Sequence, residues 1–309
     1  MEPNFATLYE SLRPTLEQLE AKRLELKSKG TKTGLIAGGI CLLIGCAITI
    51  WSNTSPIGLA ISLIIGLLVF AGCIHSQSSE LCAYYKRNII ATLVTHLCPN
   101  ARYQPEQGIS EQIFIKSGLF STPPDRYHSE DLISGQIDKT VFLCSEIVAE
   151  EKRVTHDNKG HTHTHWVDIF HGFFFVADFQ KDFQGQTLVF RNTWIKLRPG
   201  RQRVKLENSE FEKSFDVYST DQVEARYLLT PRMMEQLLTL DRKFPGKITV
   251  SFYNSNVIIA IPDSRNHFET NIWKSQLHNT DIQQEFQTLV TLLSIVNDLN
   301  LNLRIWTKE

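Results

Sequence analysis

The sequence is poor in the residues that would mark an obvious chemistry. Its 309 residues hold 6 cysteines, and no two of them form a CxxC pair. Neither a thiolate zinc site nor a disulfide scaffold is therefore indicated. Charge is in excess of neither sign: Lys+Arg 32 stands against Asp+Glu 33, which removes the broad positive field that nucleic-acid binders carry and excludes nucleic acid as a partner class. The common catalytic fingerprints are missing too. There is no GxxxxGK followed by Ser or Thr, no GxGxxG after a strand pattern, no HExxH and no GxSxG. No internal repeat and no low-complexity linker is found. The most local absence is the most informative one: from Gly34 to Ser79 there is no Asp, Glu, Lys or Arg.

That uncharged stretch holds two apolar runs, 34–51 and 57–74. Each is long enough, at ~1.5 Å per residue, to cross the hydrocarbon core of a bilayer. Only Ser52, Asn53, Thr54, Ser55 and Pro56 separate them, enough for a turn and too little for a domain. The reading is a transmembrane helical hairpin over 34–74. A signal peptide fits poorly, because the 33 preceding residues carry mixed charge. Lys22, Arg23, Lys27, Lys29 and Lys32 precede the first run, Lys86 and Arg87 follow the second, and the turn carries none. The positive-inside rule then places both ends in the cytoplasm, as in a multi-pass protein of a bacterial inner membrane. In a reducing cytoplasm all six cysteines stay free.

Small residues recur every four positions in both runs: Ala37, Cys41, Gly45 and Thr49 in the first, Gly58, Ser62 and Gly66 in the second. That spacing lets two helices approach closely in lipid. Gly34 and Gly38 form a separate GxxxG match, which points to a homo-oligomer through small-residue membrane faces. Outside the membrane, Phe5, Leu8, Leu12, Leu16, Leu19 and Leu26 draw an amphipathic helix over 1–33, bent or divided at Pro14. Leu81, Tyr85, Ile89, Leu93 and Leu97 draw another over 75–99, stopped by Pro99. Entering and leaving the same hairpin, the two predict a helical stalk.

Residues 100–309 are long enough for a full core and predict a cytoplasmic α+β domain. Alternation over 141–150 and 167–176 gives two long strands joined through the turn signal Asp157–Gly160. Segments 186–191 and 203–206 read as shorter strands. Asp221 and Glu224 have capping-box spacing, and Thr230–Pro231 opens a helix with Met233, Met234, Leu237, Leu238 and Leu240 on its apolar face. A second hairpin turns at Asn254–Ser255–Asn256, a helix opens at Asp281, and Leu299, Leu301, Leu303 and Ile305 predict a closing strand. The expectation is a mainly antiparallel sheet with two or more packed helices.

Candidate chemistry is sparse. On a strand, His161, His163 and His165 share one side at ~6.5–7 Å steps, so two of them can reach one metal, with zinc or nickel as the conceivable ions. The competing reading is an exposed polar hairpin end, and no cofactor is predicted. The acidic run Glu207, Glu210, Glu212 and Asp216 offers paired carboxylates, or an amphipathic turn with Phe211 and Phe215. Phe173, Phe174 and Phe175 read as core. Arg198, Arg201, Arg203 and Lys205 form a small basic loop.

Two stretches resemble a known bacterial family. They are Ile169-Phe170-His171-Gly172-Phe173-Phe174 with Asp178-Phe179, and the run from Val204-Lys205-Leu206-Glu207 through Phe215-Asp216-Val217-Tyr218 to Thr230-Pro231. The chain is similar here to the domain-of-unknown-function family numbered 3137, and the resemblance is expected to cover most of the chain, the double membrane span included. It implies a bacterial membrane protein with no assigned activity and no catalytic residue to carry over. By association it implies a LemA-like membrane protein as partner. Together these readings give a membrane-anchored interaction or scaffold module facing the cytoplasm. Phe211, Phe215, Tyr218, Asp221, Glu224 and Arg226 are its candidate contact residues. The alternative is a membrane-tethered metal- or ligand-binding domain, or an unusual enzyme, built on the three histidines.

Overall fold

The computed structural model describes residues 5–52, 57–156, 161–192, 200–244, 248–275, 277 and 279–301. The chain forms two compact units. One comprises the chain up to Thr92 together with Phe268–Phe286, and the other comprises Leu93–His267 with the chain from Gln287 onward.

The first unit is built on two long helices, α1 (Phe5–Ser52) and α2 (Ile57–Tyr85). Both are long and apolar enough to cross a membrane. Their approach follows the small residues. A Cβ on Gly45 would stand 2.2 Å from the Ser62 Cβ, and one on Gly58 would stand 2.5 Å from Thr49 Cγ2. Gly38 and Gly66 each face the other's carbonyl oxygen, at 3.1 Å from the ideal Cβ position. Gly34 likewise faces Phe70. Gly34 and Gly38 are thus not a separate face, as their GxxxG spacing suggested. They are spent inside the hairpin, because antiparallel pairing brings them level with Phe70 and Gly66.

The helical stalk is present. Leu8, Leu12, Leu16, Leu19 and Leu26 are buried, as are Leu81, Tyr85 and Ile89, and Lys22 Nζ lies 3.2 Å from a Glu80 oxygen. Two details differ from expectation. Pro14 does not divide the helix into two. It removes one backbone donor, and α1 continues because leucines on both sides of it are locked in the core. The helix after the second run is not separate either. It continues α2, then passes through a π turn at Lys86–Ile90 into α3 (Ala91–Leu97). The π turn brings Lys86 inward, where its ammonium meets Glu269 at 2.9 Å.

The second unit is a sheet with nine strands among the described residues. They are β1 (Arg102–Gln104), β2 (Arg126–Ile137), β3 (Thr140–His156), β4 (Thr162–Asp178), β5 (Thr187–Arg191), β6 (Gln202–Val204), β7 (Phe215–Ser219), β8 (Thr249–Tyr253) and β9 (Asn256–Pro262). Their order is β1-β2-β3-β4-β9-β8-β5-β7-β6, with every pairing antiparallel. The helices of this unit are α4 (Glu111–Lys116), α5 (Ser209–Ser214), α6 (Gln222–Leu228) and α7 (Pro231–Lys243), and α8 (Asn279–Asp298) belongs to the first unit up to Phe286 and to the second from Gln287. The protein is therefore α+β, a long apolar helical region followed by an antiparallel sheet with several helices.

Local chemistry explains several boundaries. Tyr253 pairs with Asn256, so the β8–β9 loop has two residues, and Asn254 and Ser255 both take positive φ, the conformation a type I′ turn demands. The Asp221 side chain caps α6 by accepting from the Val223 and Glu224 N–H groups, and Thr230 caps α7 with Pro231 behind it. One sheet face carries a core of Phe114, Ile147, Phe170, Phe174, Leu188 and Tyr218 with their neighbours. The expected closing strand does not begin at Leu299. Residues 299–301 form a turn at the end of α8, and 302–309 lie outside the described residues, as does the turn signal at 157–160.

Candidate functional site

β3 places an acid where an apolar residue is expected. Phe142, Cys144 and Glu146 share one face of the strand by two-residue alternation, and all three are buried. Glu146 stands opposite Phe173 of β4, and Phe173 stands opposite Ile261 of β9. The Glu146 carboxyl is 2% exposed. It accepts a hydrogen bond from the His267 backbone N–H at 3.2 Å, and His171 Nε2 lies 3.5 Å from its other oxygen. Burial pushes this carboxyl up to about 7, against the opposing pull of His267 and with a further push from Asp131 and Glu130. An acid in the neutral range can gain or lose a proton near neutral pH.

The segment after β9 supplies the other half of the cluster. Asp263 accepts from the Arg265 side chain at 2.7 and 3.1 Å and from its backbone N–H at 3.1 Å. His267 Nε2 lies 3.1 Å from Asp263 Oδ2. Burial acts to raise the Asp263 pKa, but these bonds outweigh it and hold the carboxyl well below the usual range. The His267 ring packs on Phe173 at 4.7 Å between centroids. The return of this segment depends on Gly172. Its φ is +148°, and an added Cβ would meet the Ile261 oxygen at 2.2 Å. Without a side chain there, β9 continues along β4 until the Asp263 N–H reaches the His171 carbonyl at 2.9 Å.

A cavity of about 850 Å³ opens beside the cluster, and His171, Asp263, Arg265, Asp168, Phe170 and Phe173 contribute to its walls. His171 lines the cavity while its Nε2 faces Glu146, and this nitrogen is buried with no hydrogen-bond partner. The arrangement is an imidazole standing between a solvent-reachable space and a buried acid. It is suited to carrying a proton between them.

The residues singled out in the sequence fall elsewhere. His161, His163 and His165 are all exposed. His163 and His165 lie on a two-stranded ribbon where β3 and β4 run on past the last pairs of β2 and β9, Arg126↔Glu150 and Gly172↔Pro262, and His161 immediately precedes β4. His163 faces Thr155 across the ladder and His165 faces Arg153. Among the described residues no group of three or more His, Cys, Asp or Glu side chains converges as a metal site.

The expected contact surface needs correction. Phe211, Phe215 and Tyr218 are buried core side chains, because α5 and β7 turn the aromatic side of that segment inward. Asp221 is a helix cap, and Glu224 accepts from the Gln184 and Gly185 N–H groups at 2.9 and 2.7 Å. Arg226 is exposed and donates to the Gln222 carbonyl. Three acids of the run are spent on ion pairs: Arg203 holds Asp216 at 2.8 Å and Glu212 at 3.5 Å, and Arg242 holds Glu210. Arg198 of the basic loop lies outside the described residues. Among the cysteines, Cys82 donates to Glu269 at 2.8 Å, and burial with that carboxylate pushes its thiol up to about 12, so it stays protonated and unreactive.

Glu146, Asp263 and His267 did not stand out in the sequence. The available signal was an acid in phase with Phe142 and Cys144 on a strand whose other face is also apolar.

Residues 168–301 match the family described as "Protein of unknown function (DUF3137)". The resemblance read from the sequence is therefore real, and it is narrower than expected. It spans the sheet from the middle of β4 to the end of α8 and leaves the helical hairpin outside. No curated protein matches the chain. Among solved structures, the crystal structure of the mycobacterial trehalose monomycolate transport factor A, TtfA, aligns with a TM-score of 0.37 at 11% identity. The alignment covers 68% of this chain and 95% of that one.

Proposed function

We propose that the protein is a membrane-anchored module of a bacterial inner membrane, with both ends in the cytoplasm and a sheet domain that serves an assembly at the membrane surface. One observation carries the anchor. Leu35, Ile36, Leu43, Ile44, Leu67 and Leu68 are more than half exposed on α1 and α2. So large an apolar girdle is unfavourable in water and is satisfied by lipid. The basic residues on either side of the hairpin support the cytoplasmic placement of both ends. Affinity purification of the C-terminally tagged chain from native membranes in mild detergent tests the assembly role. A stoichiometric membrane partner, with a LemA-like protein the one the resemblance implies, supports it. A protein that purifies alone counts against it. A reporter active only in the periplasm, fused after Glu309, is expected to stay silent.

A second reading has its own observation. The cavity beside His171, with Glu146 behind it, supports binding of a small polar molecule by the sheet domain, with proton transfer through His171. It replaces the exposed histidines as the centre of the ligand-binding alternative. A compound that raises the melting temperature of the native chain and not of His171→Phe supports this reading, and equal stabilisation of both argues against it.

A further inference from the structure

The segment Phe268–Phe286 belongs to the same compact unit as the helical hairpin, although nearly 200 residues separate it from α2 in sequence. Its turn at 270–274 is firmly held. Arg23, itself clamped by both Glu20 oxygens at 2.6 and 2.9 Å, donates to the Ile272 carbonyl at 2.8 Å. The Trp273 N–H is tied to the Asn271 side chain at 2.8 Å. Ile272 is buried, whereas Trp273 is 52% exposed. The Lys27 ammonium lies over the Trp273 ring, 4.8 Å from its centroid.

This turn sits where the hairpin changes from apolar to polar. Gly30 of α1 is level with Ile74 and Gln77 of α2, and Gly34 is level with Phe70. Between the turn and α2 lies a cleft of about 470 Å³. Phe70, Ala71 and Ile74 line its apolar end, the last turns of the second uncharged run. His75, Ser78 and Thr270 line its polar end. The Thr270 hydroxyl oxygen is buried without a hydrogen-bond partner.

Charge completes the pattern. Lys22 and Arg23, further from the membrane run, are neutralised by Glu80 and Glu20. Among the described residues, Lys27, Lys29 and Lys32 make no ion pair with a carboxylate. They are the three basic residues closest to the run that starts at Gly34. A cleft that is apolar toward the membrane interior and polar toward the surface, capped by an indole over which the unneutralised Lys27 ammonium lies, matches the layout of an anionic phospholipid.

We propose that Lys27 and Trp273, with the cleft between the 270–274 turn and α2, form a binding site for one anionic phospholipid of the cytoplasmic leaflet. The site rests on the membrane-anchored reading. The acyl chains lie along Phe70 and Ile74, the phosphate faces Lys27, and Trp273 covers the glycerol level. Lys27 contributes about a fivefold preference for anionic over zwitterionic lipid at low salt.

Brominated-lipid quenching in vesicles tests this on the full chain. One variant keeps Trp273 as its single tryptophan and another keeps Trp51, with the others replaced by Phe. Vesicles are phosphatidylcholine with about one fifth phosphatidylglycerol, and the bromines are placed on one lipid or the other in turn, a composition chosen so that surface charge is the same in both arms. The expected result is stronger quenching of Trp273 by brominated phosphatidylglycerol than by an equal amount of brominated phosphatidylcholine. Lys27→Gln is expected to remove most of that difference, whereas Lys29→Gln and Lys32→Gln, on other faces of α1, are expected to leave it unchanged. Equal quenching by the two lipids, with the lysines intact, overturns the site. So does an unquenched Trp273 while Trp51 is quenched. If Trp51 is not quenched by either lipid, the membrane-anchored reading itself fails. A difference that survives Lys27→Gln, in a variant whose Trp51 is quenched, also overturns the site.

Discussion

Glu146 and His171 face each other across adjacent strands, 3.5 Å apart, with the carboxyl buried and the imidazole lining a cavity. The separation is set by the register of β3 on β4, which pairs His171 with Val148 and Glu146 with Phe173. The two side chains therefore meet on a diagonal of one sheet face. Burial favours the neutral form of a carboxyl in this position.

The first prediction concerns pH. The Glu146 carboxyl has its ordinary value near 4.5 in the unfolded chain and is raised to about 7 in the fold. Between these values the native state holds a proton that the unfolded state has lost. Stability then falls as pH rises through this window and stays low above it. The difference amounts to about 3 kcal/mol. Glu146→Gln keeps an acceptor for the His267 N–H and removes the titration. Urea unfolding at about pH 5 and about pH 8 is expected to show a loss for the native chain and little change for the variant, which becomes the more stable of the two at the higher pH. Parallel losses in both proteins would mean that another group is responsible.

Gly172 is the residue on which the cluster depends for its geometry. Gly172→Ala places a methyl group 2.2 Å from the Ile261 oxygen at a φ of +148°, so β4 and β9 must separate locally. The expected cost is about 3 kcal/mol or more. It should appear as a lowered melting temperature together with faster amide exchange at Asp263, whose N–H bonds to the His171 carbonyl. A variant with native stability would show that the backbone relaxes without strain.

The segment from Phe211 to Arg226 separates packing from surface. Phe211→Ala removes a fully buried ring and is expected to cost about 3–5 kcal/mol. Asp221→Ala removes the α6 cap and is expected to cost about 1 kcal/mol. Arg226→Ala, at an exposed site, is expected to fall within about 0.5 kcal/mol of the native chain. Chemical denaturation of the three variants checks the order. Comparable losses at Phe211 and Arg226 would contradict the assignment of the aromatic face to the core.

How much of this was legible depended on the kind of signal each element carries. The hairpin announced itself because two adjacent apolar runs carry no charge at all, and the stalk did because its leucines repeat at helical spacing. The β8–β9 hairpin and the α7 start were legible from turn and cap chemistry that is local by nature. β2 carries RYHSEDLISGQI, a polar sequence with a positive φ at Asp131 and a register shift between Glu130 and Ile133, so its alternation is broken where it would have been read. The Phe211–Tyr218 segment looked like a surface because charges alternate with its aromatics. Arg203 neutralises two of those charges inside the fold, a contact that no local pattern encodes. The Glu146 cluster was illegible for the same reason. His267 lies 121 residues from Glu146, and only the sheet register brings them together.

The hairpin offers the most direct test of the small-residue contacts. Gly38 and Gly66 each lie against the other's carbonyl, so cysteines at these two positions, in a chain whose native cysteines are replaced by alanine, are expected to cross-link readily on oxidation. Gly45→Leu acts two turns away. Its side chain would occupy the space of Ser62, whose Cβ lies 2.2 Å from the ideal Gly45 Cβ. Helices that depend on close backbone approach separate when a large residue enters such a contact. The cross-linking yield is therefore expected to drop severalfold in the Gly45→Leu background. Gly39→Leu, at a position with open space around its Cβ, is expected to leave it unchanged. Equal yields in both backgrounds would mean that the hairpin is held from outside the membrane run, by the stalk leucines, and that the small residues merely tolerate the approach.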